Sequence, residues 1–191
     1  MQIVLASSSP YRKRLLARLN IEFETMAPEV DETPLENESP ETLAQRLATE
    51  KALAVAKQYP DALIIASDQV AVLDGQVLGK PGTVERARQQ LTMASGKQLD
   101  FLTAVHLYNT ASGSGQSRVV PYSVVFRDLP EDMVNRYIEQ DQPLDCAGSF
   151  KWESLGIALF SRMSGDDVTA LEGLPLICLV DMLANEGVRV L

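Results

Sequence analysis

Short apolar runs and amphipathic stretches alternate along this chain. Ile3-Val4-Leu5-Ala6 is a run of the first kind and predicts a buried strand at about 2–6. Ser9 then offers an N-cap and Pro10 a first helical residue, and Leu15, Leu16 and Leu19 share one helical face, so a helix is expected at 9–19. A strand at 21–26, an acidic loop and a helix at 40–58 follow. Ser39-Pro40-Glu41 opens that helix and Pro60 stops it. Ala62-Leu63-Ile64-Ile65-Ala66 predicts a buried strand at 62–67, and Asp74-Gly75 marks a hairpin turn. A helix at 83–93 carries Ala87, Leu91 and Ala94 and ends at Ser95-Gly96. Long strand patterns at 98–109 and 117–126 flank a polar linker at 110–115, placed at a hairpin tip on the surface. A capped helix after Leu129-Pro130 shows the stripe Met133, Val134, Tyr137, Ile138. A last helix near 175–186 turns Leu176, Leu179, Val180 and Leu183 inward. Strands and helices alternate but include hairpins, so the fold class is α/β with a mixed sheet.

Three interruptions of this pattern carry candidate chemistry. The first strand feeds Ser7-Ser8-Ser9-Pro10-Tyr11-Arg12, a serine turn entering a helix N-terminus, where backbone N–H groups and the helix dipole favour an anion. Arg12 is unfavourable for the dipole there unless an anion lies beside it; the plainer alternative is a capped helix with a solvated arginine. Lys51 breaks the apolar stripe of the helix at 40–58, so it either snorkels to the edge or faces an anionic partner. Ser67-Asp68-Gln69-Val70 ends the third strand on a carboxylate and an amide, and Gly79-Lys80-Pro81 returns a lysine from the hairpin. A carboxylate that holds a cation or positions water, with a lysine for phosphate charge, suits phosphate and metal chemistry. An ordinary charged hairpin reads the same way. Upstream, Pro28-Glu29-Val30-Asp31-Glu32-Thr33-Pro34 is a source of metal-binding carboxylates or a solvated connection.

Composition narrows the class. A chain of 191 residues with 46% hydrophobic content can bury a sizeable core, as one large domain or as two closely packed lobes. A net charge of −9 argues against a nucleic-acid polymer as partner but leaves room for a small phosphorylated ligand. Cys146 and Cys178 have no metal-ligand or disulfide spacing and fit a reducing cytosol; Cys146, beside Ala147-Gly148, reads as a small buried hydrophobe, with a reactive thiol as the alternative. No signal peptide is visible and no apolar stretch approaches a membrane span, so no membrane partner is expected. His106, the single histidine, lies inside a strand pattern and reads as structural. No Gly-x-Gly-x-x-Gly and no P-loop occurs. The loop-like segment Leu144-Asp145-Cys146-Ala147-Gly148-Ser149-Phe150-Lys151-Trp152-Glu153 holds the one tryptophan. Trp152 could stack on a base and Glu153 could accept from its edge, or Trp152 belongs to the core.

Taken together, Leu5-Ala6-Ser7-Ser8-Ser9-Pro10-Tyr11-Arg12, Pro28-Glu29-Val30-Asp31-Glu32, Lys51-Ala52, Ser67-Asp68-Gln69-Val70, Gly79-Lys80-Pro81 and Ala147-Gly148 resemble the Maf family of nucleotide pyrophosphatases over essentially the whole chain. The resemblance implies an elongated mixed sheet flanked by helices with a central cleft, similar to the inosine-triphosphate pyrophosphatases, in one domain over 1–191 made of two closely packed lobes. It implies hydrolysis of a nucleoside triphosphate to a monophosphate and pyrophosphate, a divalent cation (Mg2+, Mn2+ or Co2+), a homodimer and a cytoplasmic location. By motif, Asp68 would accept the proton, and Glu32 and Asp68 would hold the metal. Ser7, Ser8, Arg12, Lys51 and Lys80 would bind the phosphates. Members acting on dTTP and UTP typically read Asp-Thr after the third strand and an arginine before the position of Arg12. This chain has Asp68-Gln69 and Tyr11, and with Glu153 it looks like the branch acting on 7-methyl-GTP. Tyr11, Gln69 and Glu153 are then the specificity candidates. A cationic purine favours aromatic stacking and a nearby carboxylate. Turnover of other nucleotides, and a nucleotide-binding regulator of cell division without turnover, stay open as alternatives.

Overall fold

Val4, Leu5 and Ala6 are fully buried in succession, which an alternating strand with one wet face does not allow. They belong to β1 (Gln2–Ala6), which pairs in parallel with β2 (Glu24–Met26) and with β3 (Ala62–Leu73) in the computed structural model, which describes residues 1–191. Parallel neighbours need crossovers. Here these are the helices α1 (Pro10–Ala17) and α2 (Pro40–Ala56). Ile3, Leu5, Leu63 and Ile65 pack with Leu15 and Leu16 of α1 and with Leu179 and Leu183 of α5 (Leu176–Asn185). Val4, Ala6, Ala62, Ile64 and Ala66 pack instead with Ala52 and Val55 of α2. Successive residues thus serve opposite faces of the sheet, both covered by helices.

The chain further forms β4 (Gln76–Leu78), α3 (Val84–Ala94), β5 (Gln98–Asn109), β6 (Ser114–Phe126), α4 (Glu131–Asp141) and β7 (Phe160–Ser164). The strands form one mixed sheet of order β2-β1-β3-β5-β6-β7, with β4 antiparallel to the end of β3. No helix is long and apolar enough to cross a membrane. The residues divide into two compact units. The first comprises 1–69, 102–120 and 167–191, and the second 70–101 and 121–166. In the second unit Phe126, Phe150 and Phe160 meet edge to face at 4.8–5.8 Å, with Phe101 against Phe150 at 5.5 Å. Gly148, at φ +76°, passes where a Cβ would lie 2.8 Å from Leu99.

Several boundaries differ from expectation. β3 does not stop at residue 67 but runs to Leu73, because Val70-Ala71-Val72-Leu73 continues the apolar run and Ala71–Leu73 pairs with β4 across Asp74 and Gly75, both at positive φ. Asp68 therefore lies within a strand and not at its end. α1 closes at Ala17, and Asn20 at φ +53° turns the chain out. β2 is only three residues long, while Ile21 and Phe23 pack on the core from outside it. β6 begins at Ser114, inside the expected linker. α4 has Pro130 at its N-cap and no side-chain cap. β7 was not expected at all.

Candidate functional site

The serine turn is ordered by its own side chains. Ser7 is buried, and its Oγ accepts from the Ser9 N–H at 3.1 Å. Ser9 Oγ in turn accepts from the Arg12 N–H at 3.4 Å, capping α1 as anticipated. Ser8 is exposed between them. Arg12 points away from the helix, and its Nε donates to the Gly173 carbonyl at 2.9 Å. Burial lowers the Arg12 pKa, opposed by the charges of Asp68 and Glu32, so all three groups feel one another. Tyr11 lies under the Arg14 guanidinium, 5.5 Å from its ring centre, and Arg14 reaches Glu172 at 3.0 Å.

Lys51 resolves the second interruption. It is buried on α2, and its Nζ lies 2.5 Å from Asp68 Oδ1 and 2.6 Å from Glu32 Oε1. Two carboxylates from a strand and a loop converge on one cationic point. Asp68 is buried, and that burial raises its pKa; Lys51 and Arg12 act against the rise and Glu32 with it. Glu32 itself stays largely exposed, at 61%. Ser7, Ser8, Tyr11, Arg12, Glu32, Lys51, Asp68 and Gln69 thus all belong to the first unit, and Lys51 brings Glu32 and Asp68 together.

Flanking residues hold this arrangement from below. Ser67 Oγ lies within donating distance of the Gly173 carbonyl (2.7 Å) and of that of Ala104 (2.6 Å). Gln69 Nε2 lies within donating distance of the Ala170 and Leu171 carbonyls (2.8 and 3.2 Å) and of Thr103 Oγ1 (3.1 Å). That nitrogen is engaged within the protein, tying β3 to the 168–172 turn. Asp167, buried, accepts from the N–H groups of Thr169 (2.9 Å) and Ile177 (2.8 Å) and so fixes the same turn to the start of α5. Gly173 has φ +96°, and a Cβ there would sit 3.2 Å from Arg12 Nε. Sequence reasoning quoted Ser67 within the Asp68 motif without a role and passed over Thr103 and Gly173. The Gly173-Leu174-Pro175 turn was the signal on hand, but its partners lie far away in sequence.

Lys80 and Glu153 belong to the second unit and are both exposed, Lys80 after β4 and Glu153 in the segment before β7. Trp152 is half-buried, with its indole N–H buried and without a hydrogen-bond partner. Lys151 Nζ caps the end of α4, donating to the Asp141 carbonyl at 3.0 Å. Cys178 packs in the core, where burial pushes its thiol up to about 11. His106 is buried in β5 with Nδ1 2.5 Å from Ser117 Oγ.

A family model described as Maf-like protein matches residues 2–186. A protein of Pseudomonas aeruginosa described as 7-methyl-GTP pyrophosphatase is 55% identical over 188 residues, covering 98% of both chains. One of the same description from Pseudomonas syringae is also 55% identical with the same coverage. A third, from Pseudomonas putida, is 54% identical over 190 residues, covering 100% of this chain and 99% of its own. Among solved structures, the Staphylococcus aureus Ham1 protein superposes with a TM-score of 0.57 at 15% identity, covering 97% of this chain and 100% of its own; at that identity the likeness is one of fold.

Proposed function

Because this chain belongs to the Maf-like family, we propose that it is a nucleoside triphosphate pyrophosphatase that converts 7-methyl-GTP to 7-methyl-GMP and pyrophosphate. One observation supports the chemistry above the others: buried Asp68 and loop-borne Glu32 meet at Lys51, with Arg12 in the same electrostatic neighbourhood. The description of the Pseudomonas relatives at 54–55% identity supports the substrate.

The donor set fits a divalent cation. No group of three or more His, Cys, Asp or Glu side chains is arranged to hold a metal by itself. Glu32 and Asp68 supply two hard carboxylates, and Mg2+ is commonly held by one or two carboxylates, with water and substrate phosphates completing its shell. When bound, the cation would neutralise charge on the phosphate oxygens. Asp68 accepts a proton from the water that attacks the α-phosphorus. As the new P–O bond forms, the bond to the β-phosphate oxygen breaks and pyrophosphate leaves. Arg12 and Lys51 stabilise the growing charge, and the serine turn sets the positive end of the α1 dipole towards the phosphates. Tyr11 contributes an aromatic face, and Gln69 acts on specificity by setting the 168–172 turn. Roles for Lys80 and Glu153, the homodimer and the cytoplasmic location rest on the family resemblance alone.

The test is pyrophosphate release with Mg2+ from 7-methyl-GTP, GTP, dTTP and UTP, with Asp68→Asn as control. Preference for 7-methyl-GTP is expected. Preference for dTTP and UTP would keep the chemistry and overturn the substrate, and no release from any nucleotide would overturn the enzyme. Glu153→Ala and Lys80→Ala in the same panel check those two residues: the first should shift the ratio of methylated to plain GTP turnover, the second should raise KM.

A further inference from the structure

Glu32 is an exposed residue in a segment without helix or strand, yet its carboxylate is held 2.6 Å from a buried lysine. Its neighbours are fastened on both sides. Asp31 Oδ1 accepts from the Thr33 N–H at 3.0 Å, and the Thr33 carbonyl accepts from Arg46 Nη2 at 3.2 Å. Arg46 stands on α2, the helix that carries Lys51. Its Nε and Nη2 fork onto the two oxygens of Glu38 at 2.7 and 2.8 Å, and Nη1 reaches Glu50 at 3.1 Å. Glu38 Oε2 also accepts from the Leu35 N–H at 3.0 Å. The Glu38 side chain is only 3% exposed and that of Arg46 19% exposed, so this is a bidentate pair largely withdrawn from water.

We infer that Arg46 is a positioning residue: it clamps the 31–38 loop onto α2 so that Glu32 meets Lys51 and Asp68. A helix-stabilising role through Glu50 alone would need neither the fork onto Glu38 nor the bond to the Thr33 carbonyl. The consequence for turnover rests on the proposed reaction; the consequence for the loop does not.

Two measurements decide the matter. In amide hydrogen exchange of the protein without nucleotide or metal, Arg46→Ala should speed exchange across 31–38 by roughly tenfold or more while β1 and β3 keep their protection. Unchanged loop exchange overturns the inference. In pyrophosphate release from 7-methyl-GTP with Mg2+, Arg46→Ala and Glu32→Ala should each lower kcat by roughly 10–100-fold, the usual cost of losing an outer-shell support, with less change in KM. The double variant should be no slower than Glu32→Ala, because the two residues act in series. Multiplying losses would show that Arg46 acts by another route and overturn the inference. Arg46→Lys keeps the charge without the fork and should behave as Arg46→Ala; wild-type kinetics in it overturns the clamp, and it serves in place of an alanine variant that does not fold. Should the wild-type protein release no pyrophosphate, the enzyme reading fails, and loop exchange still decides Arg46.

Discussion

Lys51 shows what a single position can reveal. A lysine on the apolar side of a helix announces a partner, and the structure supplies two in Glu32 and Asp68. Which carboxylates they are does not follow from spacing, since one comes from a loop before the helix and the other from a strand after it. Gln69 was legible only as an amide beside an aspartate; its bonds to Ala170 and Leu171 span about half the chain and leave no local trace. Arg46 was illegible for the opposite reason, because an arginine four residues before a glutamate on a helix reads as an ordinary surface pair. Two outcomes belong at this scale. Asp68→Asn is expected to lower kcat for 7-methyl-GTP by ~100-fold or more, the range typical for loss of a general base, without losing the folded state in a thermal melt. Gly173→Ala places a Cβ in a left-handed conformation and against Arg12; a loss of about 1–3 kcal/mol is expected, read as a drop in Tm of roughly 2–12 °C.

Among the elements, the helices were the most legible, because caps and prolines write their boundaries into the chain: Ser9-Pro10 and Ser39-Pro40 start α1 and α2 as anticipated. Strand ends were less legible. β3 was cut short because Ser67-Asp68-Gln69 looks like a terminus, although its backbone continues into the hairpin. β7, with exposed residues on both sides of a five-residue stretch, offers no apolar alternation to detect. The loop before α2 carries its own pH dependence. Arg46 and the Leu35 N–H hold the Glu38 carboxyl down at about 2, against an ordinary value of 4.5. A depressed carboxyl contributes stability that is complete above the ordinary value and is lost as pH falls from there towards 2. A carbon-detected titration of Glu38 is expected to show a midpoint near 2 in the native protein and a return towards 4.5 in Arg46→Ala.

For the whole molecule, the mixed α/β class was legible from the alternation of helix and strand patterns, and which interleaved segments make up each of the two compact units was not. Lys51 already compensates Glu32 and Asp68, so removal of divalent cations with a chelator is expected to abolish pyrophosphate release and to leave Tm within about 2 °C of its starting value, with Mg2+ restoring turnover.

The core that joins β1 to α5 sets the timing of folding as well. Ile3 and Leu5 leave the ribosome roughly 170–180 residues before Leu174, Leu179 and Leu183, which complete the layer over them. At synthesis rates of roughly 5–20 residues per second, that interval is on the order of 10–30 s. Until it closes, only α1 covers that face of the first strand, so the first unit acquires its native packing only once α5 has been made.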